Sequence, residues 1–96
     1  MLRGKQKAYL RGLLNTQTPV FQVGKEGLSE NLLRQLDEVM EARELIKITV
    51  LNNQTAAPDE LAAAIAAHTG AEVVQVIGNK IGLYRAARKP QLALPD

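Results

Sequence analysis

Apolar residues recur at intervals of three and four in three stretches of the chain, which is the spacing of one face of a helix. The first stretch is rich in leucine, and the second follows Ser29, a residue type that caps helix N-termini. The third is rich in alanine and lies between Pro58, which suits a first helical position, and Gly70, which suits a C-terminal cap. The pattern predicts helices over three ranges: 3–14, 29–43 and 58–68.

Shorter segments that are rich in β-branched residues predict strands. In residues 45–51 the isoleucines and the valine face one way, while Lys47 and Thr49 face the other. Gly78 and Asn79 form a two-residue turn signal between the last two segments, which indicates a hairpin. The predicted strands cover four ranges: 20–23, 45–51, 72–77 and 80–86. The order αβαβαββ predicts one α/β domain in which helices pack on a mixed four-stranded sheet.

The composition agrees with one ordinary globular domain. Of the 96 residues, 46% are hydrophobic and 23% are charged, which argues against a disordered chain. We expect the domain to cover residues 1–89 and the proline-containing tail, 90–96, to be frayed. The chain has no cysteine, which excludes disulfides and thiolate metal sites.

Targeting segments are not recognisable in the sequence. Arg11 and Gly12 interrupt the N-terminal region, so it lacks the continuous apolar segment of a secretory signal. No stretch approaches the apolar length of a transmembrane helix. We therefore expect a cytoplasmic protein without a membrane partner.

Bases are concentrated at the two ends of the chain. Residues 1–25 hold five bases and no acid, residues 26–76 hold nine acids and three bases, and residues 77–96 hold four bases and one acid. Such segregation is typical of a positive surface that binds a polyanion. Solvated helix faces would produce the same pattern, so charge alone leaves both interpretations open.

Residues that could support catalysis are scarce. Helix capping explains the only serine, Ser29, and the only histidine, His68, falls at a helix end, where structural roles are more common. Glu38 and Glu41 have the spacing of a solvated helix face. Neither a phosphate loop nor a dinucleotide-binding motif occurs. We predict a protein that is not an enzyme and needs no cofactor, metal or small-molecule substrate.

Aromatic residues are few, and the signature of an RNA-recognition motif is absent. We expect Phe21 in the core. For Tyr84, stacking on a base and packing in the core both remain open.

A glycine-bounded loop, Gly24-Lys25-Glu26-Gly27, separates the first predicted strand from the capped second helix. In KH-type domains a GxxG loop lets backbone amides approach the sugar-phosphate chain closely. Glycine removes the Cβ atoms that would block this approach, and the helix N-terminus adds partial positive charge. The loop is therefore a candidate RNA contact, although Glu26 leaves Lys25 as its only cation.

Several blocks of the sequence closely resemble the stand-alone bacterial CRM domain (chloroplast RNA splicing and ribosome maturation), the YhbY-like family. The blocks are Leu2-Arg3 with Lys7–Arg11, Val20–Glu30, Glu44–Ile48, and Thr69–Gly78 followed by Leu83–Arg85. They occur in the family's order and spacing. Two features depart from the family: Arg43 stands where a histidine is usual, and residues 52–57 are neutral where charge is common.

The resemblance implies a fold similar in shape to the C-terminal domain of bacterial translation initiation factor three. It also implies RNA binding and, for stand-alone bacterial members, association with precursors of the large ribosomal subunit. In the family the GxxG loop is the proposed RNA contact, which maps here onto residues 24–27. The family's basic first helix maps onto Arg3, Lys7 and Arg11.

Our leading hypothesis is an assembly factor that docks on structured ribosomal RNA of large-subunit precursors without turnover. A DNA-binding, nucleoid-type protein and a protein-interaction module are the alternatives, since phosphate attraction does not distinguish RNA from DNA. The candidate RNA-binding residues lie in the loop, the first helix, the second strand and the hairpin: Gly24, Lys25, Glu26, Gly27, Arg3, Lys5, Lys7, Arg11, Lys47, Lys80 and Arg85.

Overall fold

The computed structural model describes residues 2–95, so Met1 of the predicted domain and Asp96 of the predicted tail lie outside it. The elements follow the predicted order αβαβαββ. They are α1 (Gly4–Leu14), β1 (Phe21–Val23), α2 (Glu30–Ala42), β2 (Leu45–Val50), α3 (Pro58–Thr69), β3 (Glu72–Ile77) and β4 (Lys80–Tyr84).

The four strands form one mixed sheet in the order β1-β2-β4-β3. β1 runs parallel to β2, while β4 pairs antiparallel with both β2 and β3. The prediction of a mixed four-stranded sheet is therefore confirmed. β1 and β3 are the two edge strands, and one row of the register joins Gln22 on β1 to Thr49 on β2 and Lys80 on β4.

One face of the sheet packs against α2 and α3. Ile46, Ile48 and Val50 point to this side, as the alternation in the sequence predicts, and lie in the larger core cluster. The helices contribute mainly their buried aliphatic side chains: Leu36, Met40, Leu61, Ala62 and Ile65. Phe21, the aromatic residue expected in the core, is partly buried against this cluster.

The opposite face packs against α1. Leu10 and Leu14 are fully buried there with Leu45, Val74 and Tyr84. A Cβ on Gly82 would overlap the Leu14 side chain, so the glycine allows α1 to approach β4 closely. Tyr84 is 8% exposed, which decides between its two interpretations in favour of core packing. The domain thus has three layers, with the sheet in the middle.

The predicted helix ends and turn follow from the cap residues. Ser29 Oγ accepts a hydrogen bond from the Leu32 N–H at 3.1 Å, as an N-cap residue does. Gly70 ends α3 with φ +76°, and Gly78 begins the hairpin turn with φ +56°. Both values lie in the left-handed region that favours glycine.

The C-terminal segment is attached to the domain through one buried carboxylate. Glu44 is 4% exposed, and its Oε2 accepts from the Ala87 N–H at 2.8 Å. Its Oε1 accepts from the N–H groups of Gln91 and Leu92, both at 2.7 Å. Leu92 and Leu94 also pack against the α1 core. The structure therefore places the described part of the tail on the domain, in contrast to the frayed tail that the composition predicts.

Candidate nucleic-acid interface

The loop at residues 24–27 forms a tight turn directly after β1. The Gly27 N–H donates to the Gly24 carbonyl at 3.0 Å, and the Ser29 N–H donates to the Gly27 carbonyl at 3.2 Å. Gly27 has φ +69°, so the conformation of the turn itself favours glycine at this position. Lys25 and Glu26 are exposed at the tip.

The neutral loop after β2 supports this turn from one side. The Gln54 Nε2 donates to the Gly24 carbonyl at 2.7 Å, and the Gln54 Oε1 accepts from the Ala56 N–H at 2.8 Å. A Cβ on Gly27 would lie 3.3 Å from the same Nε2. Gln54 therefore bonds Gly24 and lies beside Gly27. The sequence held no signal for this role, because a glutamine in a neutral loop looks like any solvated residue.

The basic side chains of α1 divide into two groups around the helix. Leu10 and Leu14 point to the sheet. Because successive residues of a helix are rotated by about 100°, Lys7 and Arg11 lie to one side of the face that these two leucines form. Arg3, at the N-cap, stands four positions before Lys7, which is the spacing of neighbours along one helix face. Lys5 instead points away from the sheet. The structure thus groups Arg3, Lys7 and Arg11 and sets Lys5 apart on the outer face of α1.

The other flank of α1 is covered by the tail. Gln6 Nε2 donates to the Pro95 carbonyl at 3.1 Å, and Leu13 packs in the cluster that includes Leu92 and Leu94. The tail therefore leaves uncovered the flank of α1 that carries Lys7 and Arg11, which we call the basic flank. Among the described residues, the side chains of Lys7 and Arg11 make no hydrogen bond or ion pair.

Lys80 and Lys47 lie on the α1 side of the sheet. Lys80 Nζ donates to Thr49 Oγ1 at 3.0 Å, which fixes the side chain without neutralising its charge. Lys47 Nζ donates to the Leu14 carbonyl at 3.1 Å, so its charge lies at the C-terminus of α1, where a cation is favourable. Lys80 remains available to a polyanion, whereas Lys47 is largely engaged.

The structure does not bring Arg85 to the side of the sheet on which Lys80 lies. Arg85 stands five positions after Lys80 in extended backbone, so the two side chains point to opposite sides of the sheet. The guanidinium donates to Asp37 Oδ1 at 2.5 Å and to Glu41 Oε2 at 3.3 Å, and its side chain is 18% exposed. It also donates to the Thr69 carbonyl at 2.7 Å. These contacts tie β4 to α2 and α3 and compensate the positive charge.

Three loops meet at the end of the sheet where β1 and β2 finish and β4 begins. The Leu51 N–H donates to the Val23 carbonyl at 2.9 Å, and the Val50 N–H donates to the Asn79 carbonyl at 2.7 Å. The glycine turn, the Gln54 loop and the hairpin turn therefore form one rim. We call this rim, with Lys80 and the basic flank of α1, the basic surface; its cations are Arg3, Lys7, Arg11, Lys25 and Lys80.

Comparison with known families shows where this fold belongs. The family model of the CRS1 / YhbY (CRM) domain matches residues 2–85. The chain belongs to this family. The match covers every helix and strand of the CRM domain described above.

Relatives of this CRM domain span nearly its full length. "Probable RNA-binding protein YqeI" of Bacillus subtilis is 44% identical over 99% of this chain and 100% of its own. An "RNA-binding protein" of Haemophilus influenzae is 34% identical over 98% of this chain and 95% of its own. A solution structure from Staphylococcus aureus, described as that of a candidate RNA binding protein, superposes with TM-score 0.83 at 46% identity. It covers 99% of this chain and 100% of its own, and the fold is therefore that of a solved structure.

The shifted pKa values of the CRM domain lie away from the basic surface. Burial, together with the carboxylates of Glu44 and Glu72, raises the pKa of Tyr84 above its usual value. Within residues 2–95 no cluster of acids and histidine has the arrangement of a metal site. Every helix in this range is too short or too polar to span a bilayer. The cations of the basic surface suit a polyanionic ligand through electrostatic attraction and hydrogen bonding.

Proposed function

We propose that this protein binds RNA and docks reversibly on structured ribosomal RNA as an assembly factor for the large ribosomal subunit. The observation that carries the proposal is the basic surface, where a glycine turn precedes a capped helix N-terminus. On the basic flank of α1, the cationic side chains bond no other group of residues 2–95. Backbone N–H groups and a helix N-terminus suit phosphate oxygens. Its place of action would be the cytoplasm.

Family membership and the names of the relatives support RNA as the partner. Two relatives that match nearly the whole chain are named as RNA-binding proteins, and neither name specifies an enzyme. The proposed mechanism is accordingly binding without turnover. Phosphate contacts would position the protein, since most of the basic surface offers charge and not base-reading groups.

Single charges at the tip of the glycine turn offer a direct test of phosphate contact. Lys25→Gln is expected to weaken RNA binding about fivefold and to lower the salt slope by about one unit, because one cation leaves the interface. Glu26→Gln is the matched change of opposite sign and is expected to strengthen binding about twofold, because a repulsive carboxylate is removed. Fluorescence anisotropy against salt concentration measures both. If the two variants shift affinity in the same direction, the tip does not contact phosphate.

Fractionation of cell extracts tests the cellular target. The protein is expected to co-migrate with precursors of the large subunit on a sucrose gradient at low salt and to leave them as salt rises, because counterion release drives such binding. Depletion of the protein should make incomplete large subunits accumulate. Free protein at low salt, or co-migration only with small subunits or with the nucleoid, would contradict the proposal. The last outcome would favour the DNA-binding alternative.

A further inference from the structure

A continuous shallow groove runs from the glycine turn along the exposed edge of β1. It consists of two adjoining depressions with volumes of about 430 Å³ and about 640 Å³. Both are lined by Gln22, Leu32 and Gln35, so they form one feature. One wall is the N-terminal half of α2, and the other is the edge strand β1. We call this feature the edge groove.

The walls of the edge groove carry free amide side chains. Gln22 on β1 and Gln35 on α2 are exposed, and within the described chain neither amide makes a hydrogen bond. Asn31 accepts from Arg34 at 2.7 Å through its Oδ1, which leaves its amide N–H groups unused. Gln54, by contrast, uses its amide within the fold, where it bonds the glycine turn. The groove therefore presents both donors and acceptors that no protein group satisfies.

The floor of the edge groove is apolar. Leu32, Val20 and Phe21 are each partly buried against the larger core cluster and leave part of their side chains at the surface. A planar base has an apolar face and a polar edge, so it matches a floor of aliphatic and aromatic carbon between amide walls. Of the charged residues, only Lys25 and Glu26 line the groove, and both lie at its loop end.

We infer that the edge groove binds unpaired nucleotides of RNA, with the backbone at the glycine turn and the bases over Leu32. This inference rests on the proposed RNA binding and deepens it, because it assigns base contacts to a surface separate from the phosphate contacts. Gln22 and Gln35 would hydrogen-bond the edges of the bases. Such edges are reachable in single strands, whereas the major groove of an RNA duplex is too deep and narrow for side chains.

An extended peptide that adds a strand to β1 is the competing occupant. β1 has only three residues, so its edge offers few backbone groups to a peptide. The position of the groove beside Lys25 and a helix N-terminus favours a ligand that carries phosphate. We therefore commit to single-stranded RNA.

The test compares glutamine variants on single-stranded and double-stranded RNA. Gln22→Ala and Gln35→Ala are each expected to weaken binding of a single-stranded oligonucleotide about fivefold, the effect of one or two lost hydrogen bonds. Binding of a fully paired RNA hairpin stem should stay unchanged, and so should the salt slope, because no cation is removed. Gln75→Ala, on the opposite edge strand β3, is the matched control and should bind like the wild type.

The outcomes separate this inference from the proposed function. If the wild type binds neither RNA, the proposed RNA binding itself fails. If the wild type binds RNA but the Gln22 and Gln35 variants match Gln75→Ala, the edge groove is not the base-binding site. Equal losses on the single strand and the paired stem would also overturn the inference, because they would indicate a general loss of affinity.

Discussion

Replacing Arg3, Lys7 and Arg11 together by alanine is expected to weaken RNA binding about a hundredfold near physiological salt and to lower the salt slope by about two to three units. Each of these side chains belongs to the basic flank of α1, which the tail leaves uncovered. The loss should be similar for all RNA sequences, because phosphate contacts carry no sequence information. Anisotropy titrations at several salt concentrations measure the slope.

The chain offers a control that matches this variant in charge. Arg43, Arg88 and Lys89 are exposed and lie at the far end of the sheet, near the buried Glu44. Their replacement by alanine removes the same number of positive charges but should change RNA affinity little, because charges more than about 8–10 Å from the bound RNA are screened. Both variants should melt close to the wild type, since surface substitutions change stability by about 0.5 kcal/mol or less. Equal effects of the two variants would mean that net charge, and not the basic surface, determines binding.

The sequence predicts the elements well because local signals agree with the fold. Ser29, Pro58 and Gly70 each mark a helix end through backbone chemistry that acts within a few residues. The alternation in β2 likewise places Ile46, Ile48 and Val50 on one face, and the structure confirms it. These features depend on neighbouring residues and so can be seen in the sequence.

The arrangement of the site depends on contacts between distant residues, which the sequence does not display. The sequence groups Lys80 with Arg85 because both are basic and close in the chain, but extended backbone turns them to opposite sides. Gln54 reaches Gly24 across a separation of 30 residues. The attachment of the tail to Glu44 spans an even longer separation, so composition alone favours fraying.

The buried carboxylate of Glu44 is expected to make the stability of the domain depend on pH. Burial alone would raise the pKa of the Glu44 carboxyl, but hydrogen bonds from the N–H groups of Ala87, Leu92 and Gln91 outweigh it and hold the pKa below its usual value. A lowered pKa means that the folded state favours the charged form. The stabilisation is therefore complete above the usual pKa of a glutamate and is lost as pH falls through the lowered value.

Glu44→Gln is expected to lower the free energy of unfolding by about 2–3 kcal/mol at neutral pH. In the variant an amide N–H₂ group would face a backbone N–H, which in the wild type has a carboxylate oxygen as its acceptor. For a domain of this size the melting temperature should fall by about 10–20 °C. The gap to the wild type should narrow as pH falls, since the wild-type carboxylate then becomes protonated. Glu38→Gln, on the exposed face of α2, is the control and should melt like the wild type.

Hydrogen exchange distinguishes loss of the tail contact from general destabilisation. In Glu44→Gln the amides of Ala87, Gln91 and Leu92 should exchange faster than the core amides of β2, because the tail would detach before the domain unfolds. RNA affinity should stay close to the wild type, since Glu44 lies away from the basic surface. A stability gap that does not change with pH, or tail amides that exchange as in the wild type, would show that the carboxylate does not hold the tail.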